Sequence, residues 1–195
     1  IAERKPESYA KDLTLRYPVK LFVNGSAIRI RLDNFCGTEP ITVSNANFAQ
    51  CCSQDEILTN TAKPLTFQGS TSVTIPAGTA VCSDEIPFEI QAGEQYAVSM
   101  YFAEFTQMRS GLVITGPLSG GYFAVGNQTK YAVLDKDTSK KTNFYYFLTD
   151  IEVRTNTDAK TLICYGDSIT AQAWPDYLME RAFQVSGGKR AVIRR

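Results

Sequence analysis

The chain has 195 residues, with twenty basic and twenty acidic side chains, so its formal net charge is zero. This balance excludes the broad electrostatic attraction that nucleic-acid and anionic-membrane binders use. Hydrophobic residues make up 44% of the sequence, which is enough for a packed core, and no apolar run has the length of a transmembrane helix. There is no histidine, and the cysteines show no metal-binding spacing, so we predict neither a metal nor a cofactor.

The cysteines favour a reducing compartment. They number five, so they cannot all pair within the chain, and Cys51 and Cys52 are neighbours, which would strain a mutual disulfide. Free thiols are the ordinary state in the cytoplasm, where we place the protein. Residues 1–10 are too polar for a signal peptide, although a first residue other than Met is compatible with a leader that has been removed.

After a polar lead-in at residues 1–14, the sequence predicts two strands joined by a tight turn. Asn24-Gly25 is a preferred pair for a type I′ hairpin turn. The strand after the turn places Arg29 and Arg31 on a solvated face, since side chains alternate between the two faces of a strand. The apolar positions that alternate on either side of the turn are Val19, Leu21, Val23, Ile28, Ile30 and Leu32.

Short alternating strands continue as far as residue 155, with turns at intervals of roughly eight to twelve residues. A strand at 95–103 and a long strand at 143–154 are the clearest, and the remaining candidates are 41–48, 65–67, 72–75, 86–90, 112–115 and 122–125. Without a long helical period, this pattern predicts a mainly β protein with an antiparallel β-sandwich at residues 15–155. We prefer a jelly-roll-like sandwich to a closed barrel, but strand spacing alone leaves both open.

Aromatic residues occur in clusters along these strands. Alternate members of each cluster are expected in the core. The outward members, such as Tyr101 and Tyr146, have two open interpretations: stacking on a sugar, or covering a second domain.

The pattern changes after a polar linker at 155–160. The apolar run at 162–165 predicts a strand buried on both faces, as in a parallel α/β sheet. Gly166 then allows a sharp turn, and Pro175 opens a helix predicted at 174–183. Ser168 therefore lies between a buried strand and a helix, with its hydroxyl exposed at the carboxyl edge of the sheet, where open α/β sheets bind ligands.

Gly166-Asp167-Ser168-Ile169-Thr170 resembles the first signature block of the SGNH, or GDSL, serine hydrolases. The resemblance implies that Ser168 is the nucleophile and a backbone oxyanion donor, with Gly166 and Asp167 as the supporting motif. The block differs from the G-x-S-x-G elbow of α/β-hydrolases, because Thr170 stands where that elbow has its second glycine. More loosely, residues 28–43 and 67–78 resemble the β domain that precedes the hydrolase domain in two-domain bacterial members. Residues 156–195 would then begin the hydrolase domain.

The same resemblance implies residues that this chain lacks. The family's other blocks supply an oxyanion glycine and asparagine and an Asp-x-x-His, all after the serine. A serine hydroxyl is a poor nucleophile without an adjacent base, and Asp167 is too acidic to be an efficient one. Since residues 191–193 predict the next parallel strand just before the chain ends, we expect the remainder of the hydrolase as a separate chain after nicking or processing at Arg195. A deliberate truncation is the alternative.

The sequence thus predicts the N-terminal part of a two-domain serine esterase that forms an acyl-enzyme on Ser168. By family analogy, the substrate is a short acyl or acetyl ester on a carbohydrate. The alternative is a non-catalytic β-sandwich module that binds carbohydrate or another protein. That alternative predicts a self-contained fold whose ligand binding does not depend on Ser168.

Overall fold

The computed structural model describes residues 2–3, 9–156 and 158–194, with only the backbone described at residues 2–3. Residues 1 and 4–8 of the predicted lead-in, residue 157 of the linker and the chain end at residue 195 lie outside the described residues. The described part is mainly β, with antiparallel sheets and a single α-helix near its C-terminal end. None of its helices combines the length and the apolarity needed to cross a bilayer.

The strands of the first half are β1 (Ala2–Glu3), β2 (Tyr9–Ala10), β3 (Leu13–Lys20), β4 (Gly25–Asp33), β5 (Ile41–Val43), β6 (Asn45–Ser53), β7 (Glu56–Ile57), β8 (Lys63–Pro64), β9 (Val73–Ile75) and β10 (Ala80–Cys82). The second half contains β11 (Ile86–Ile90), β12 (Gln95–Phe102), β13 (Thr106–Gln107), β14 (Ser110–Val113), β15 (Gly121–Val125), β16 (Lys140–Thr142), β17 (Phe144–Tyr146), β18 (Leu148–Arg154), β19 (Lys160–Cys164) and β20 (Arg190–Arg194). Helix α1 spans Trp174–Ser186, and a 3-10 helix spans Thr59–Thr61.

Two sheets dominate the antiparallel β region, which we define as residues 9–154. The larger has seven strands, in the order β16-β15-β3-β12-β6-β7, with β8 also paired to β6. In the smaller, β4 pairs with β10 and β11 and with β18. Three small antiparallel sheets accompany them, β1-β14-β17, β2-β13 and β5-β9, of which only β1 lies outside residues 9–154.

One apolar core joins the two main sheets. Its buried members from the larger sheet include Leu15, Tyr17, Phe48, Val98 and Met100, and those from the smaller include Ile28, Ile30, Leu32, Phe88 and Ile90. These residues alternate along their strands, as predicted. The predicted solvated face is also confirmed, because Arg29 and Arg31 are exposed and Arg29 Nε donates to Glu152 Oε2 over 2.6 Å.

The predicted hairpin at Asn24-Gly25 is wrong. Strand β3 pairs with β12 and β15, whereas β4 belongs to the other sheet, so the chain crosses between sheets at this point. Gly25 is needed there because β18 approaches closely: a Cβ on it would lie 2.2 Å from Val153 Cγ1. Asn24 has a separate role, since its Oδ1 accepts a 2.8 Å hydrogen bond from Ala92 N.

The long strand predicted at 143–154 is two strands in different sheets. Phe147 separates β17 from β18 with a φ of 63°, a conformation that is unusual for a bulky residue. Its side chain is fully buried, and its N–H donates to Ser110 O while its carbonyl accepts from Asp33 N. The strand predicted at 41–48 divides in the same way at Ser44, into β5 and β6.

After the antiparallel β region the chain forms a βαβ unit, which we define as residues 160–194. Strands β19 and β20 pair in parallel, and α1 lies between them in sequence. The strand predicted at 162–165, the helix and the parallel strand predicted at 191–193 are therefore confirmed. The predicted burial of the first strand is wrong: Leu162 and Ile163 on β19 are 51% and 57% exposed, because among the described residues β19 pairs only with β20.

Candidate functional site

Ser168 lies in the turn after the carboxyl end of β19, and it is exposed. Within the described part of the chain, no hydrogen bond occupies its hydroxyl or its backbone N–H. Both groups are therefore available to an external molecule. This is the exposure that the sequence predicted for the residue.

The turn that carries Ser168 is held by its own short contacts. Asp167 Oδ1 accepts a 2.9 Å hydrogen bond from Ile169 N, and Asp167 O accepts one of 3.0 Å from Thr170 N. Gly166 is required by close approach, since a Cβ on it would lie 2.3 Å from Thr170 Oγ1. The Asp167 carboxylate thus fixes the backbone of the turn, and it does not bond to the Ser168 hydroxyl.

Arg194 on β20 ties the turn to the start of the helix. Its Nε donates to Thr170 O over 3.2 Å, and one terminal nitrogen donates to Gln172 O over 3.2 Å. The same nitrogen forms an ion pair with Asp176 Oδ1 in the first turn of α1. Because the Asp176 side chain is 1% exposed, this is a buried carboxylate with a charged partner.

Asp176 also joins the βαβ unit to the antiparallel β region. Its Oδ2 accepts a 3.0 Å hydrogen bond from Leu118 N, in the loop before β15. In the same loop Gly116 has no room for a side chain, since a Cβ would lie 2.2 Å from Asp176 Oδ2, and Thr115 N donates to Ala171 O over 3.0 Å. We call residues 115–120 the bridging loop.

Tyr145 holds the end of the bridging loop through two hydrogen bonds to Gly120. Its hydroxyl accepts a 2.7 Å hydrogen bond from Gly120 N and donates one of 2.9 Å to Gly120 O. The ring stacks on Tyr17 with 4.7 Å between centroids. Burial raises the pKa of the Tyr145 phenol to about 12, so the hydroxyl keeps its proton at physiological pH.

A second, mainly apolar contact joins the other end of α1 to the antiparallel β region. The rings of Phe22 and Phe183 meet edge to face, with 5.5 Å between centroids. Gly93 lies against Phe183, so that a Cβ there would be 2.9 Å from the ring. Lys20 Nζ lies 3.9 Å from Glu180 Oε1, which adds only a weak surface ion pair.

Large apolar side chains remain exposed around Ser168. Tyr165 immediately before the turn is 88% exposed, and Ile169 immediately after Ser168 is 61% exposed. Because successive residues of a strand point to opposite faces, Leu162 and Ile163 expose apolar surface on both faces of β19. Parallel strands in proteins are normally covered on both faces.

The described residues do not assemble a complete catalytic centre around Ser168. The sequence has no histidine, and the nearest carboxylate in sequence, Asp167, is occupied by the turn. No group of three or more potential metal ligands gathers in the part of the chain that the structure describes, and none of the five cysteines is joined in a disulfide there.

Sequence reasoning found the serine and its flanking elements but missed Arg194 and Asp176 as partners. Arg194 lies near the C-terminal end of the sequence and Asp176 in the first turn of the helix, so neither belongs to the Gly-Asp-Ser block. No spacing rule connects residues eighteen positions apart across a helix and a turn.

The two tyrosines predicted to face outward have partners within the chain. Tyr101 donates to Asp12 Oδ1 over 2.7 Å, and Tyr146 stacks on Phe144.

Comparison with known proteins adds no family assignment: no family model matches the chain, and no curated protein is significantly similar to it.

Proposed function

We propose that this chain is the N-terminal part of a two-domain SGNH-type serine esterase. In this proposal residues 15–155 form a jelly-roll-like sandwich, and residues 156–195 begin the hydrolase domain. The observation that carries the proposal is the Gly-Asp-Ser turn at the carboxyl end of a parallel strand, with an exposed serine whose hydroxyl and N–H have no partner among the described residues.

The proposed chemistry is acyl transfer. The Ser168 hydroxyl attacks the ester carbonyl, its proton passes to a base, and the backbone N–H of Ser168 stabilises the oxyanion. The alcohol then leaves, and water hydrolyses the acyl-enzyme. We propose an acetyl or other short acyl ester on a carbohydrate as the substrate.

The base must come from outside this sequence, because it contains no histidine. We propose that the rest of the hydrolase, on a separate chain, supplies an Asp–His pair and further oxyanion donors. The exposed apolar side chains on both faces of β19 support this proposal, since additional layers of an α/β domain would cover them.

The test starts from material isolated from the cells that make the protein. Native mass spectrometry reports whether a second polypeptide accompanies this chain, and a fluorophosphonate probe with peptide mapping reports whether Ser168 is reactive. We expect a second polypeptide and labelling at Ser168, together with hydrolysis of 4-nitrophenyl acetate.

Two variants make the result specific. Ser168→Ala should abolish labelling and hydrolysis, whereas Ser72→Ala, at an exposed serine in the antiparallel β region, should change neither. A chain that stays alone and unlabelled, or activity that survives in Ser168→Ala, would contradict the proposal.

A further inference from the structure

A cleft of about 460 Å³ lies where the two main sheets meet near the 3-10 helix. Strands β6 and β12 of the larger sheet contribute Gln50 and Tyr96, and β11 of the smaller sheet contributes Phe88 and Glu89. The volume falls within the range of about 300–1,000 Å³ that is typical of small-ligand sites. The cleft is built from residues other than those around Ser168.

Gln50 breaks the alternation of its strand. Ala46 and Phe48 of β6 point into the main core, so the next residue on the same face is expected to be apolar. Gln50 occupies that position instead and is half-buried. Its carboxamide makes no hydrogen bond with any described residue, although its backbone N–H is bonded to Thr61 Oγ1. A core-facing position thus holds a polar group that is open to the cleft.

Two more carboxamides line the cleft, on Asn60 and Gln91. Neither side chain has a hydrogen-bond partner among the residues that the structure describes. A carboxamide both donates and accepts, which matches a ligand whose groups do the same. Three such groups around one cavity therefore favour a ligand with several hydroxyls.

The charges of the cleft balance. Lys63 and Glu89 contribute one positive and one negative side chain. Lys63 Nζ is engaged by Pro87 O at 2.5 Å and lies 5.6 Å from the centroid of the Phe88 ring. A site without net charge gives no preference to phosphates or carboxylates, so the ligand is expected to be neutral.

Aromatic rings form the apolar side of the cleft. Phe88 and Tyr96 are 8% and 2% exposed and pack with Phe48, at centroid distances of 4.8 and 5.5 Å. The Tyr96 hydroxyl accepts a 2.8 Å hydrogen bond from Gln91 N, while its own proton has no acceptor among the described residues. The rings therefore give the cleft a rigid apolar wall of small exposed area, and the carboxamides and the Tyr96 hydroxyl supply the groups that would bond the hydroxyls of a sugar.

From these observations we propose that the cleft binds a neutral carbohydrate, as one or two sugar residues of a chain. This site is distinct from Ser168, and the proposal stands whether or not the chain belongs to an esterase. The occupant is recognised through hydrogen bonds between its hydroxyls and the carboxamides of Gln50, Asn60 and Gln91.

The experiment is an NMR titration of the whole chain with neutral probes, namely xylopentaose, cellopentaose and mannopentaose, and with pentagalacturonate as an acidic comparison. We expect a neutral probe to shift the amide resonances of Gln50, Asn60 and Gln91, with a Kd of roughly 0.1–1 mM, since a small polar ligand gains little from apolar burial. Pentagalacturonate should bind more weakly than the neutral probe.

The decisive variant is Gln50→Leu, which keeps the side-chain size and restores the apolar alternation of β6. It should fold normally and lose about tenfold or more in affinity, because one well-placed polar contact corresponds to about that factor. Gln184→Ala, which removes an exposed carboxamide from α1, is the matched control and should bind like the unaltered chain. Ser168→Ala should also bind normally, which separates this proposal from the esterase proposal.

Three results would overturn the inference. The first is that no neutral probe shifts the amide resonances of the cleft at concentrations about ten times the expected Kd. The second is that Gln50→Leu binds the neutral probe with unchanged affinity. The third is that pentagalacturonate binds more tightly than every neutral probe.

Discussion

The antiparallel β region and the βαβ unit differ in how far their apolar side chains are buried. Ile30 and Phe48 in the first are fully buried, whereas Ile163 in the second is 57% exposed, although all three lie on strands. In the antiparallel β region, the two main sheets cover each other's apolar faces within the described residues. In the βαβ unit, two parallel strands and one helix leave apolar surface on both faces of β19. The apolar faces of the first region are covered within the described residues, whereas the apolar strand of the second keeps exposed side chains on both faces.

The largest expected effect separates the two regions by burial. Phe48→Ala should lower the free energy of unfolding by about 3–5 kcal/mol, because it leaves a cavity beside Phe88 and Tyr96. The matched change in the βαβ unit, Tyr165→Ala, removes a side chain that is 88% exposed. It should change the free energy of unfolding by no more than about 0.5 kcal/mol. Urea denaturation followed by circular dichroism measures both, and similar losses would contradict the comparison.

The next effect concerns the junction between the regions. Asp176→Ala should cost about 2–4 kcal/mol, because it leaves the Arg194 guanidinium and the Leu118 N–H without their carboxylate acceptor. Faster hydrogen exchange at the amides of Leu118 and Thr170 would report the loosened junction. Arg29→Ala, which breaks the exposed pair with Glu152, is the control and should cost less than about 1 kcal/mol.

The pair can be tested further with a double variant. If the cost of Asp176→Ala comes mainly from an unpaired charge, adding Arg194→Met should recover part of the stability. Costs that simply add would show that the two side chains act independently.

A smaller effect of about 1 kcal/mol is expected at neutral pH for Tyr145→Phe, which removes the two hydrogen bonds to Gly120. Its pH dependence sharpens the test. Burial raises the pKa of the Tyr145 phenol from 10.0 to about 12, so between these values the unfolded chain releases the proton more readily than the folded chain. This group's contribution to stability is therefore complete below pH 10 and is lost as the pH rises through 12. Two pKa units correspond to about 2.7 kcal/mol, so the stability difference between the unaltered chain and Tyr145→Phe should fall to zero and then change sign over that interval. A difference that stays constant with pH would contradict the assignment.

A small effect on stability is also expected for Leu162→Ser combined with Ile163→Thr. Both side chains are more than half exposed, so we expect a change within about 1 kcal/mol and reduced self-association in sedimentation experiments. A loss as large as that of Phe48→Ala would show that these residues are packed, which would remove the contrast between the regions.

Much of the local structure was predictable from the sequence. The period-two alternation predicted β4 with the face that it buries, and it predicted strands at β11 and β12, because side-chain direction in a strand follows from backbone geometry alone. At the candidate site, the sequence predicted the strand before Gly166, the helix after it and the exposure of Ser168. The carboxamide cleft was not predicted, because its lining residues come from segments that are distant in sequence.

The sequence by itself therefore determined the mainly β character, the alternating faces of strand β4 and the strand–turn–helix around Ser168. Each of these features depends on residues that are close to one another in the sequence. Only the tertiary structure decided which strands pair, so that Asn24-Gly25 links two sheets and Phe147 divides one predicted strand into two. It also decided that Arg194 and Asp176 meet, and that β19 keeps exposed faces. These features depend on which segments, distant in sequence, come into contact. The backbone preferences of a short segment do not determine its tertiary partners.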